Sequence, residues 1–123
     1  PTIVQGVEYK LQQVFLNLIL NACDAMPNGG WLSIASRIDR HQAIIEVADT
    51  GTGIASEDLP RIYEPFFTTK AVGQGTGLGL SIVYGVVQEH RGAIDCRSGH
   101  GEGTRFTVTL PLPPRTPAQS LAY

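Results

Sequence analysis

The sequence predicts an α/β fold: a two-layer α/β sandwich whose mixed, mainly antiparallel sheet packs on about three helices. Three observations carry this. Segments of helical and strand periodicity follow in the order helix, two strands, helix, long loop, helix, two strands. The longer helical segments each show one apolar face, which places helices on one side of a sheet. And 123 residues suffice for a single domain with one buried core.

Residues 9–26 form the first helix, with Leu11, Val14, Phe15, Leu18, Ala22 and Ala25 recurring at steps of three and four. Pro27-Asn28-Gly29-Gly30 ends it with breaker and turn residues in succession. Residues 31–38 and 43–48 read as two antiparallel strands joined through Asp39-Arg40-His41-Gln42. The second, with Ile44, Ile45 and Val47, is expected to be buried on both sides. Ser56 followed by Glu57 and Asp58 predicts an N-cap and a short helix to about Tyr63. Residues 64–76 show no period, so they form a loop of unusual length, expected to act as a lid. Helical periodicity returns over 78–90 through Leu80, Ile82, Val83, Val86 and Val87. Residues 93–97 and 104–110 are strands, the second alternating Phe106, Val108 and Leu110. Residues 111–123 hold four prolines and no pattern, so the domain is set at 1–111 and a Pro-rich tail or linker at 112–123.

Composition narrows the function classes. Apolar residues make up 42% and charged residues 16%, a globular balance. A formal net charge of −2 argues against a nucleic-acid or anionic-membrane surface. The longest apolar stretch, 14–22, is interrupted by Asn17 and Asn21 and is too short to span a bilayer. The first ten residues lack the basic start and apolar core of a secretory signal. Cys23 and Cys96 sit in no metal-like cluster and are expected to be reduced.

Three segments carry chemistry. Gln13, Asn17, Asn21 and Asp24 share one side of the first helix. Solvated faces favour Lys, Glu and Arg, whereas an asparagine carbonyl is a hard neutral oxygen suited to Mg²⁺ that already holds phosphate oxygens. Asp49-Thr50-Gly51-Thr52-Gly53 puts a carboxylate just past a strand. An acid there accepts a hydrogen bond from an exocyclic amine and selects adenine over guanine, while the glycines let backbone pass close to a flat base. Residues 73–80, Gly-Gln-Gly-Thr-Gly-Leu-Gly-Leu, lead a glycine-rich loop into a helix N-terminus, which offers N–H groups to phosphate. The spacing is neither a Rossmann fingerprint nor a Walker A loop.

Together these segments resemble the catalytic domain of sensor histidine kinases, within the wider ATPase family that includes type II topoisomerase, Hsp90 and mismatch-repair ATPases. Residues 11–26 resemble its N box, 49–54 its G1 box, 65–70 its F box, 75–80 its G2 box, and Gly101-Glu102-Gly103-Thr104 its last glycine box. The Asp-Ala-Met and Phe-Phe-Thr-Thr-Lys strings resemble the nitrogen-regulator-like subgroup. The resemblance implies a Bergerat-type ATP-binding fold with ATP and Mg²⁺ as cofactors. By it, Asn21 is the Mg²⁺ ligand, Asn17 lines the phosphate side, and Asp24 belongs to the nucleotide site. Asp49 binds the adenine amine with Thr104 nearby. Gly51, Gly53 and Ile54 shape the base pocket. Gly75, Thr76, Gly77, Leu78, Gly79 and Leu80 hold the phosphates. Phe66 and Phe67 anchor the lid, Thr68 lies beside them, and Lys70 reaches toward the terminal phosphate.

The resemblance further implies transfer of the ATP γ-phosphoryl group to a histidine on a separate dimerisation domain of the same protein, with a response regulator downstream. It implies a cytoplasmic location, whether or not the full-length protein is anchored in the inner membrane. Neither nucleic acid nor membrane contact is expected of this fragment. Three positions depart from the family pattern. Asn17 stands where hydrolytic relatives place the Glu that activates water, so transfer is favoured over hydrolysis. Asp24 replaces a frequent Lys, shifting phosphate neutralisation toward Mg²⁺, Lys70 or Arg61. His90-Arg91-Gly92 replaces a commoner His-Gly-Gly, which leaves Gly92 to supply the positive φ at the helix end. A nucleotide-binding module without catalysis and a serine kinase of the anti-sigma type remain alternatives.

Overall fold

The computed structural model describes residues 8–65, 67, 79–99 and 101–112. The order is α1 (Glu8–Asp24), β1 (Leu32–Asp39), β2 (Gln42–Asp49), a 3₁₀ turn (Leu59–Arg61), α2 (Gly79–Glu89), β3 (Ala93–Ser98) and β4 (Thr104–Pro111). The four strands form one sheet in the order β1-β2-β4-β3, antiparallel at every pairing among the described residues. Both helices lie on one face of it, as the two-layer sandwich requires.

The apolar stripes meet between the layers. Val14 and Leu18 of α1, Val83 and Val87 of α2, Val47 of β2 and Phe106, Val108 and Leu110 of β4 form the core, closed by Ile62. On β2 the core-side residues Ala43, Val47 and Asp49 are buried, while of the opposite parity Ile44 is buried and Glu46 half-exposed. Burial on both sides therefore holds at the start of β2 only. All eight residues of β1 are exposed. Ile34 and Ile38 pair with the core-side Val47 and Ala43, yet neither helix covers them.

Lys10, near the start of α1, pairs with Glu89, at the end of α2, at 3.0 Å. The two helices therefore run antiparallel. Ten residues at about 1.5 Å rise carry α2 back roughly 15 Å, which sets Gly79 abreast of the second half of α1.

Two local expectations need correction. No helix begins at Ser56; a turn leads into the 3₁₀ segment, whose cap is Asp58 without a side-chain bond. A helix capped at Ser56 would need the N–H of residue 60 to reach the Ser56 carbonyl, and Pro60 has none. At the end of α2 the left-handed residue is Arg91, φ 58°, rather than Gly92. Arg91 N–H donates to Gln88 and Gly92 N–H to Val87, closing a Schellman turn. Gly92 is required for a different reason: a Cβ there would collide with the Thr109 carbonyl.

Candidate functional site

One row across the sheet brings the sequence candidates together. Asp49 of β2 pairs with Thr104 of β4, and Thr104 pairs with Ser98 of β3. All three share the parity of Val47, Phe106 and Cys96, the face that carries the helices. Asp49 and Thr104 are buried, at 9% and 6% exposure. The Gly51 amide donates to Asp49 Oδ1 at 2.8 Å, an Asx turn that starts the loop. Asp49 Oδ2 meets no donor among the described residues, so one carboxylate oxygen remains to accept from a ligand.

The loop after Asp49 is held by backbone crowding. A Cβ on Gly51 would strike the Ala25 carbonyl at the end of α1, and one on Gly53, φ 75°, the Gly99 carbonyl. Thr52 N–H donates to the Ala25 carbonyl at 3.0 Å, satisfying an orphan acceptor of the helix end. Ile54 N–H donates to Ser98 Oγ at 2.7 Å. Gly103 closes the row from the other side, since a Cβ on it would strike the Asp49 carbonyl.

These contacts fix α1 against the loop. Asn21 and Asp24 lie in the last turn of α1, next to the Ala25 that touches Gly51 and Thr52, with Asn17 one turn earlier. Asn17 and Asn21 are half-buried; Gln13 and Asp24 are exposed. Gly79 and Leu80 open α2 abreast of this segment, and Leu80 packs on the core. Phe67 packs on the core too, with the Arg61 guanidinium 4.5 Å from its ring centre. Arg61 also meets Glu64 at 3.3 Å. Phe66, Thr68, Lys70, Gly75, Thr76, Gly77 and Leu78, with the rest of the expected lid, lie outside the described residues.

Ser98 joins this row without belonging to any of the sequence motifs. Its signal was parity: it continues the core-facing Ile94 and Cys96 but is polar, just before a glycine box. Burial, followed by the charges of Asp95 and Asp49, pushes the neighbouring Cys96 thiol from 9.0 up to about 12. It is unbridged and stays a neutral thiol at physiological pH, as an inert wall of the site.

Residues 6–114 match the family described as histidine kinase-, DNA gyrase B- and HSP90-like ATPase. Among curated proteins, the sensor kinase CckA of Brucella abortus (strain 2308) is 44% identical over 83% of this chain and 12% of its own length. Among solved structures, the catalytic domain of histidine kinase ThkA superposes with a TM-score of 0.77 at 34% identity, over 88% of this chain and 70% of that one. Full-length ShkA, solved in complex with AMPPNP, gives a TM-score of 0.80 at 30% identity over 94% of this chain and 24% of that one. The chain spans between 12% and 25% of the length of the curated sensor and sporulation kinases it matches. With the family match over most of its length and the four-stranded sandwich, the chain belongs to the histidine kinase-, DNA gyrase B- and HSP90-like ATPases.

Proposed function

We propose that this chain is the ATP-binding catalytic part of a two-component sensor histidine kinase. It binds Mg²⁺-ATP and transfers the γ-phosphoryl group to a histidine on a separate dimerisation domain of the same protein, from which a response regulator is served. The observation that carries this reading is Asp49: a buried carboxylate with one oxygen held by Gly51 and the other open, in a loop whose glycines leave no room for side chains. That arrangement suits a flat base with an exocyclic amine.

The chain's residues divide the work. Asp49 and Thr104 read the base, with Gly51, Gly53 and Ile54 shaping its slot. Asn21 offers a neutral oxygen at the end of α1, and Asn17 lines the phosphate side. Both are half-buried and hard donors, which fits Mg²⁺ bound partly by phosphate. Bound there, the cation neutralises phosphate charge. By the family resemblance Lys70, Thr68 and the 75–80 loop with Gly79 and Leu80 complete the phosphate end, and Phe67 anchors the lid on the core. Asp24 stands at its edge.

The chain supplies positioning and charge, and the acceptor comes from elsewhere. His90 is buried and its Nδ1 donates to the Val86 carbonyl at 2.8 Å, a packed histidine rather than a nucleophile. Asn17 in place of a general base keeps water from being the acceptor. We take 1–111 as the catalytic domain, 112–123 as tail, and a cytoplasmic location; no described helix is long and apolar enough to cross a membrane. Calorimetry with ATP and GTP at millimolar Mg²⁺ tests the reading. ATP should bind tighter by about 2 kcal/mol or more, because a wrong base leaves the carboxylate poorly paired. Equal affinities would remove Asp49 as the base reader.

A further inference from the structure

We propose that Ser98 is a positioning residue for base selection: its hydroxyl fixes the Thr104 proton, so that the base end of the site presents acceptors alone. The proposal rests on the assignment of Asp49 and Thr104 to the base. Ser98 Oγ has three partners: Ile54 N at 2.7 Å, the Gly103 carbonyl at 2.8 Å and Thr104 Oγ1 at 2.9 Å. A serine hydroxyl owns one proton and two lone pairs. The Ile54 N–H takes one lone pair. A carbonyl only accepts, so Gly103 takes the Ser98 proton. The third contact is then made by Thr104 donating to the second lone pair. This is the single arrangement that satisfies all three contacts.

The consequence lies one strand away. With its proton turned to β3, Thr104 Oγ1 keeps only lone pairs for a ligand, directly or through a water. Across the β2–β4 pairing, Asp49 Oδ2 is an acceptor as well. A 6-amino purine brings two N–H donors to this pair of acceptors. A 6-oxo purine brings an oxygen, which neither group can serve. Ser98, although it touches no base, thereby sets the sign of recognition. Through Ile54 it also ties the base loop to β3.

The test compares ATP with ITP, which carries an oxygen at position 6, by calorimetry on the whole chain with Mg²⁺. In Ser98→Ala the Thr104 hydroxyl is released and can turn its proton to a 6-oxo group. The ATP-over-ITP preference should then fall about tenfold, the equivalent of one hydrogen bond. Ser98→Thr, which keeps the hydroxyl, should restore the preference. A merely structural serine would weaken both nucleotides by one factor, and an unchanged ratio in Ser98→Ala overturns the proposal. If circular dichroism finds Ser98→Ala unfolded, Ser98→Cys, with its weaker donor, takes its place. A preference between the two extremes supports the relay, and one equal to the parent's overturns it. Asp49→Asn separates the two levels. If it leaves the ATP-over-ITP ratio intact, the base assignment fails and the Ser98 role with it; if it collapses the ratio while Ser98→Ala does not, the Ser98 role alone fails.

Discussion

Gly53→Ala isolates what the base loop owes to the absence of a side chain. Gly53 sits at φ 75°, where an L-residue is strained by about 1–2 kcal/mol. The new Cβ would also meet the Gly99 carbonyl, a backbone atom that no rotamer change can move. Relief requires the loop to shift from the strand connection. Two bonds cross that gap, Ile54 N–H to Ser98 Oγ at 2.7 Å and Gly101 N–H to the Thr52 carbonyl at 2.6 Å. Losing one of them adds about 1 kcal/mol, so the total destabilisation is about 2–3 kcal/mol. Gly101→Ala is the matched control, with φ 78° but no atom within 4 Å of its Cβ. It should lose only the backbone part. Urea unfolding should be followed by circular dichroism, because Trp31 is 81% exposed already and reports little on burial. With a slope of about 1–3 kcal/mol per molar, Gly53→Ala should unfold about 1 M earlier than the parent, and Gly101→Ala by roughly half to two thirds of that shift. ATP affinity of Gly53→Ala should drop about tenfold or more as Asp49 and Ile54 separate from β4 and β3. Coincident unfolding midpoints for the two variants would refute the crowding argument, since the φ term is common to both.

Asn21→Ala should abolish the Mg²⁺ dependence of ATP binding while the fold survives, as calorimetry at varied Mg²⁺ checks; unchanged metal dependence removes Asn21 from the metal site. Cys23, exposed, should label with a maleimide in the native chain while Cys96 reacts only after unfolding, as mass spectrometry of digests would resolve. The raised Cys96 value has a pH consequence. The folded state favours the neutral thiol, so this stability is complete below the unfolded value of 9.0 and is lost as pH rises toward about 12. Urea midpoints should fall over that window, and less steeply in Cys96→Ala. Gly85→Ala in α2, where an added Cβ meets open space, should stabilise by up to about 1 kcal/mol in the same assay.

Periodicity carried most of the architecture. Val14, Leu18 and Ala22 are buried as their spacing in α1 predicts, and Phe106, Val108 and Leu110 as alternation in β4 predicts. Signals failed where one atom outweighed composition. Ser56-Glu57-Asp58 has helix-start chemistry, but the missing N–H of Pro60 removes the first helical bond. Arg91 adopts a left-handed conformation because two Schellman bonds offset its strain, leaving Gly92 to answer a steric demand from β4. At the site, Asp49, Gly51, Gly53 and Thr104 stand out locally as motif residues. Ser98 does not, because its role depends on lying one strand from Thr104, a neighbourhood that only sheet pairing creates.

Strand β1, which neither described helix covers, bears on how this chain behaves at concentration. It ends the sheet, with no partner beyond it among the described residues, and presents Ile34 at 56% and Ile38 at 61% exposure beside Trp31. A sheet edge with apolar side chains, where it is left open, invites another strand to add to it. Arg37 and Asp39 put opposite charges on the same strand, and Arg37 already leans to Glu46 at 3.6 Å, so salt weakens whatever guard they provide. Preparations of this domain should therefore stay dispersed when dilute at low ionic strength, and should tend toward edge-to-edge association as concentration and salt rise together.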